Sequence, residues 1–131
     1  MKLTLRRWYS FVDMQTQVAR RLKRIITVSE NSFKDIVAEH KALQAYYEGI
    51  VPLLDSWAEA YMGKYGRPSP DEIKLTWGEP DGDIQDIIKS NVEWIEASKS
   101  QMVGRTDTFL HNIIDEIIEL HYGTLYRLTL S

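Results

Sequence analysis

The chain contains no cysteine. Disulfides, thiolate zinc sites and cysteine nucleophiles are therefore excluded together, and the absence fits a reducing cytoplasm. No apolar run approaches the ~20 residues that a bilayer-spanning helix needs. Glycine and proline are scarce, at seven and four of 131 residues, and no glycine-rich phosphate loop or Gly-x-Ser-x-Gly turn occurs among them. The first residues, MKLTLRRWYSFVDM, hold a basic pair but no uninterrupted apolar stretch and no small-residue cleavage site. They do not read as a secretory signal. The Arg-rich, acid-poor stretch up to Ser29 superficially resembles an organellar presequence, but its apolar spacing suits a permanent helix better.

What the chain does have is an ordinary globular composition, 44% hydrophobic and 27% charged, which argues against disorder. Its length predicts a single helical domain over residues 1–131. The net charge of −3 hides a strong asymmetry. Residues 1–28 carry seven basic side chains and one acid, while the remainder carries nine and eighteen. A segment of about +6 beside a body of about −9 predicts docking onto acidic faces of the same protein or onto an acidic partner.

Apolar periodicity predicts helices throughout. Trp8, Phe11, Val18, Leu22 and Ile25 are separated by three, seven, four and three residues, with Gln15 in the gap. Arg20, Arg21, Lys23 and Arg24 fall in the last turns of that helix, where the dipole favours cations. Ser29, Asn31 and Ser32 are cap candidates for a second helix. Its seam runs Phe33, Ile36, His40, Leu43, Tyr47, Ile50, Leu54, Trp57 and Tyr61, alternating three and four. Gly49 and Pro52 inside this run predict a kink or short break near 49–52. Ser69-Pro70-Asp71-Glu72 predicts the start of a short helix reaching Trp77.

Glu79 to Asp83 reads as a turn with acidic caps, followed by a helix through Ile84, Ile87, Ile88, Val92 and Ile95 that fades near 98–100. Thr106 or Asp107 should cap a last helix carrying Phe109, Leu110, Ile113, Ile114, Ile117, Ile118 and Leu120, and Gly123 suits its C-terminal cap. The expected fold is an all-α bundle of four long helices plus a short one. Three alternating snippets, Lys2-Leu-Thr-Leu5, Ile73-Lys-Leu-Thr-Trp77 and Arg127-Leu-Thr-Leu130, are the candidates for a minor sheet.

Few residues combine into chemistry. His40 sits in a seam, the usual place for a hydrogen-bonded core imidazole. His111, Asp115 and Glu119 share one face of the last helix without a His-x-x-x-His or Glu-x-x-His pair that would begin a metal site. Glu93-Trp-Ile-Glu96 and Glu116-Ile-Ile-Glu119 are two E-x-x-E pairs on consecutive helices. That pattern resembles the all-α nucleotide pyrophosphohydrolases of the MazG and dUTPase type, which pair E-x-x-E with E-x-x-D. The resemblance implies Mg²⁺ held by these acids against a triphosphate. The fourth acid here is Glu119 where that family has Asp. Pairing the two helices about residue 103 would separate Glu96 from Glu119 by about 13 Å along the axis. The acids then read as a solvated face.

The expected function is non-enzymatic: a protein-binding or assembly module such as an adaptor, chaperone, inhibitor or structural accessory, of the kind viral and mobile-element genes encode. It should be cytoplasmic, homo-oligomeric or bound to a protein partner, and without cofactor, catalytic residue or metal. The expected partner-binding residues are Arg6, Arg7, Arg20, Arg21, Lys23 and Arg24. The same residues with Trp8 and Tyr9 support the alternative of nucleic-acid binding, which the acidic whole (pI near 5.6) disfavours. The Mg²⁺-dependent pyrophosphohydrolase is the other alternative. Tyr9, Tyr46, Tyr65, Tyr122 and Tyr126 fall outside the seams and point to a contact surface.

Overall fold

A computed structural model describes residues 15–20, 35–67 and 83–130 of the chain. The described part of α1 is residues 15–20, and α2 (Asp35–Tyr65), α3 (Ile84–Met102) and α4 (Thr108–Leu128) follow. The fold is all-α, a helical bundle, with no strand among the described residues. α4 packs against both α2 and α3. Of the three candidate strand snippets, the C-terminal one is corrected: Arg127 and Leu128 finish α4, and Thr129 and Leu130 form a turn. Leu128 is buried at helical spacing from Thr124 and His121, so a three-to-four period overrides the short alternation. The other two snippets, and the expected short helix before Trp77, lie outside the described residues.

The seam of α2 is its buried face. Leu43, Ile50, Leu54, Trp57 and Tyr61 are in the core, and Trp57 stacks on Tyr61 with ring centroids 5.3 Å apart. The break expected at 49–52 is absent, and the helix runs through Pro52. Proline removes a backbone donor that would bond the carbonyl of Glu48, but both residues are exposed, where water can satisfy that oxygen. Gly49 has a different reason for its place. A Cβ there would lie 3.1 Å from Leu120 Cδ1, so the glycine lets α4 approach α2 closely.

Asp83 caps α3 as expected, its carboxylate accepting from the Ile84 amide at 2.8 Å. The helix continues past the expected fading point to Met102 and stops where Val103 turns extended and enters the core. Asp107 is the N-cap residue of α4 by position, though its side chain makes no cap bond. Gly123 is not a C-terminal cap. It lies within α4, which runs on because Thr124 and Leu128 still face the core. Phe109, expected on the apolar face, is 42% exposed, whereas Leu110, Ile114 and Ile117 are fully buried.

Candidate functional site

Four buried polar side chains, one from each described helix, meet inside the bundle: Gln15 of α1, Tyr46 of α2, Asn91 of α3 and His121 of α4. Helix positions put them there. Gln15 fills the apolar gap of α1, and His121 follows Ile114 and Ile117 on the core stripe of α4. Gln15 and Asn91 form a reciprocal amide pair, with N···O distances of 3.1 and 3.0 Å. The second amide hydrogen of Asn91 points to His121 Nε2, 2.6 Å away. The Tyr46 hydroxyl lies 3.0 Å from the same nitrogen, and its ring meets the imidazole edge-on.

This network assigns the tautomer. His121 Nδ1 donates to the Ile117 carbonyl at 2.7 Å, leaving Nε2 as the acceptor for Asn91 and Tyr46. Burial pushes the imidazole pKa down to about 4, against a smaller upward pull from the Ile117 carbonyl. Burial likewise pushes the Tyr46 phenol well above its usual range. The cluster is thus neutral throughout. Helical bundles build metal centres at such a place from converging carboxylates and histidines. Here the side chains against the imidazole are the Asn91 amide and the Tyr46 phenol, and these donors occupy its lone pair. Among the described residues no group of His, Asp and Glu is arranged to hold a metal ion. The cluster can hold four helices in one register, because shifting any of them would strand a buried polar group.

A second cluster ties the C-terminal end of α2 to the start of α4. Asp107 is buried and accepts from the Lys64 ammonium and the Tyr65 hydroxyl. These two hydrogen bonds, Lys64 first, hold the Asp107 carboxyl below its ordinary pKa, and the carboxylate raises those of Lys64 and Tyr65 in return. The Asp107 amide bonds the Gly104 carbonyl at 3.0 Å, which also accepts from His111 Nε2 at 3.0 Å. Nothing in the sequence pattern linked Lys64 and Tyr65 to Asp107, because the pair is joined across 42 and 43 residues.

The outward face of α3 and α4 is different in character. Tyr122 is 49% and Tyr126 66% exposed. The Tyr122 hydroxyl donates to Glu96, and that bond, with the charges of Glu96 and Glu93 behind it, raises the phenol pKa. Lys99 bridges to Asp115. Tyr65, Tyr122 and Tyr126 are exposed as the sequence suggested. Tyr46 is not, since its ring and hydroxyl complete the interior cluster.

Asn91 meets His121 and Lys99 meets Asp115, so α3 and α4 pair about Asp107 and not about residue 103. This brings Glu96 level with Glu119, in place of the separation expected from the sequence. Glu93, Glu96, Glu116 and Glu119 are all exposed. Of the expected partner-binding residues, Arg20 lies on the exposed side of α1. Arg6, Arg7, Arg21, Lys23 and Arg24 lie outside the described residues, as do Trp8 and Tyr9. His40 falls within α2, and His111 is half-buried against the Gly104 carbonyl.

Residues 34–128 match the model of a family of unknown function, DUF5856. The chain belongs to this family. The match takes in α2, α3 and α4, hence Tyr46, Asn91, His121, the Asp107 clasp and the Tyr122–Tyr126 face, and it leaves out the basic residues 1–28. A 52-residue stretch is also 42% identical to an MMP alpha-(1->4)-mannosyltransferase of Mycolicibacterium hassiacum, covering 40% of this chain and 12% of that protein. No solved structure matches the chain. Among the described residues no helix is long and apolar enough to cross a membrane.

Proposed function

We propose that this chain is a non-enzymatic protein-binding or assembly module. The observation that carries the reading is the contrast between its two polar regions. The side chains of the interior cluster are buried and bonded to one another and to the Ile117 carbonyl. The outer surface of α4 instead leaves Tyr122 and Tyr126 at 49% and 66% exposure. Large aromatics with one polar atom each supply contact area at little entropic cost, and they concentrate at protein interfaces.

Site-specific photo-crosslinking tests this in cells of the protein's source. A photoreactive phenylalanine at position 122 or 126 should trap a discrete protein partner, and one at exposed Glu59 of α2 should not. No adduct from either tyrosine position would overturn the reading. So would Mg²⁺-dependent loss of a nucleoside triphosphate that Glu93→Gln and Glu116→Gln abolish, which would favour the pyrophosphohydrolase.

A further inference from the structure

We propose that the outward α3–α4 face, centred on Tyr122 and Tyr126, docks the basic residues 1–28 of a second copy of this chain. The proposal rests on the assembly reading above and names its partner. Asp115, Glu119, Tyr122 and Tyr126 recur at spacings of four, three and four, which places them on one stripe of α4 about 17 Å long. Glu93 and Glu96 of α3 flank it, and Glu116 lies beside it; all five acids are exposed. Among the described residues three cations lie nearby, Lys99, which Asp115 engages, Lys89 one turn before Glu93, and Arg127 next to Tyr126, so the acids outnumber them five to three. The face is therefore acidic and aromatic together.

That combination selects a particular complement. A guanidinium stacks flat on a phenol ring while its N–H fork reaches a neighbouring carboxylate, which a compact ammonium does less well. Five of the seven basic residues in 1–28 are arginines: Arg6, Arg7, Arg20, Arg21 and Arg24. Tyr122 is also already oriented, since its hydroxyl donates to Glu96, so ring and carboxylate present themselves as one preformed unit.

Geometry favours a second copy over the same chain. The chain's own α1 is anchored to α3 through Gln15 and Asn91. Residue 93 lies about 200° around the helix from residue 91, at 3.6 residues per turn. α1 therefore approaches α3 from the side opposite Glu93, and a second molecule meets no such constraint. Reciprocal docking, each basic segment on the other's face, closes into a twofold dimer.

The test uses the full chain in light scattering and sedimentation across ionic strength. The wild type should be dimeric at ~50 mM salt, with association weakened at least about tenfold by ~500 mM as screening shortens the reach of the charges. The variant Glu93→Lys/Glu96→Lys/Glu119→Lys should be monomeric at low salt, and so should Arg6→Glu/Arg7→Glu/Arg21→Glu/Arg24→Glu. Mixing the two reversed proteins should restore a one-to-one heterodimer, because each now offers the complement of the other. A wild type that is monomeric at low salt overturns the proposal, as does a dimer indifferent to salt.

Should either reversed variant lose its helical circular dichroism, Tyr122→Ala/Tyr126→Ala and the wild-type salt titration decide alone. Loss of the dimer in the former and salt sensitivity in the latter are required. A monomer that binds a synthetic arginine-rich helical peptide overturns the second-copy partner yet leaves the wider protein-binding reading standing. A monomer that also yields no crosslink from positions 122 and 126 removes both.

Discussion

His121 Nε2 lies 2.6 Å from Asn91 Nδ2, so a nitrogen that could take a proton is held against a group that can only donate one. With Nδ1 committed to the Ile117 carbonyl, the folded protein accommodates the neutral ring alone. Its pKa near 4, against 6.5 in an unfolded chain, makes this a pH-dependent contribution to stability. Above pH 6.5 the ring is neutral in both states and the contribution is whole. As the pH falls toward 4 the unfolded chain takes up a proton that the folded one refuses, and about 3 kcal/mol is lost. Urea unfolding from pH 7 to pH 4 should show that slope. His121→Gln, which cannot gain the charge, should flatten it, and an unchanged slope would refute the assignment.

Gln15 and Asn91 should be coupled. Replacing either with Leu leaves the other's buried amide unsatisfied, at a cost of about 1–3 kcal/mol, whereas replacing both removes the stranded group. A double-mutant cycle by denaturant unfolding should therefore give a double variant more stable than the sum of the singles predicts. Strict additivity would mean that the pair does not hold α1 to α3.

Asp107→Ala should loosen the joint between α2 and α4 by about 1 kcal/mol, a low figure because its partner Lys64 is solvent-exposed. The carboxyl is held below its usual range, first by the Lys64 hydrogen bond. Its contribution is accordingly present above ordinary carboxylate pKa values and lost as the pH falls through the lowered one. Hydrogen exchange should report the change at the end of α2 and the start of α4 before it appears in the cluster around His121.

Pro52 stands exposed in the middle of α2. Pro52→Ala restores a backbone hydrogen bond and relieves the ring clash while removing little packing. Part of the gain, up to ~3 kcal/mol for a proline inside a helix, is offset by the freer unfolded chain. A net rise of about 1–2 kcal/mol in unfolding free energy is expected, and a loss would mean that the helix bends there to fit its neighbours.

The sequence showed the helices well, because burial on one side of a helix leaves a periodic trace: Leu43, Ile50, Leu54, Trp57 and Tyr61 all enter the core. It misled at Pro52, where a local cost is outweighed by packing on both sides of the residue, and at Gly123, where glycine's preference for a helix end yields to a core stripe that continues to Leu128. The interior cluster was harder to see. Gln15 looked like a gap in a heptad and Tyr46 like a surface aromatic, and the bonds that join them to the cluster run to other helices. Their pairing depends on helix register, which is also why a loop placed near residue 103 misjudged the acids of α3 and α4. The Tyr122–Tyr126 face was visible as aromatics off the seam, with no hint of Glu96 beside them.

The position of α4 in the bundle bears on how the protein is made. Tyr46 and His121, which touch in the core, are 75 residues apart in the chain. At translation rates of about 5–20 residues per second, α2 waits several seconds on the ribosome before the helix that covers its aromatic face emerges. During that interval Trp57 and Tyr61 lack the cover that α4 supplies. A nascent chain stalled before α4 should therefore be a preferred client of ribosome-associated chaperones, and the one released after Leu128 should not.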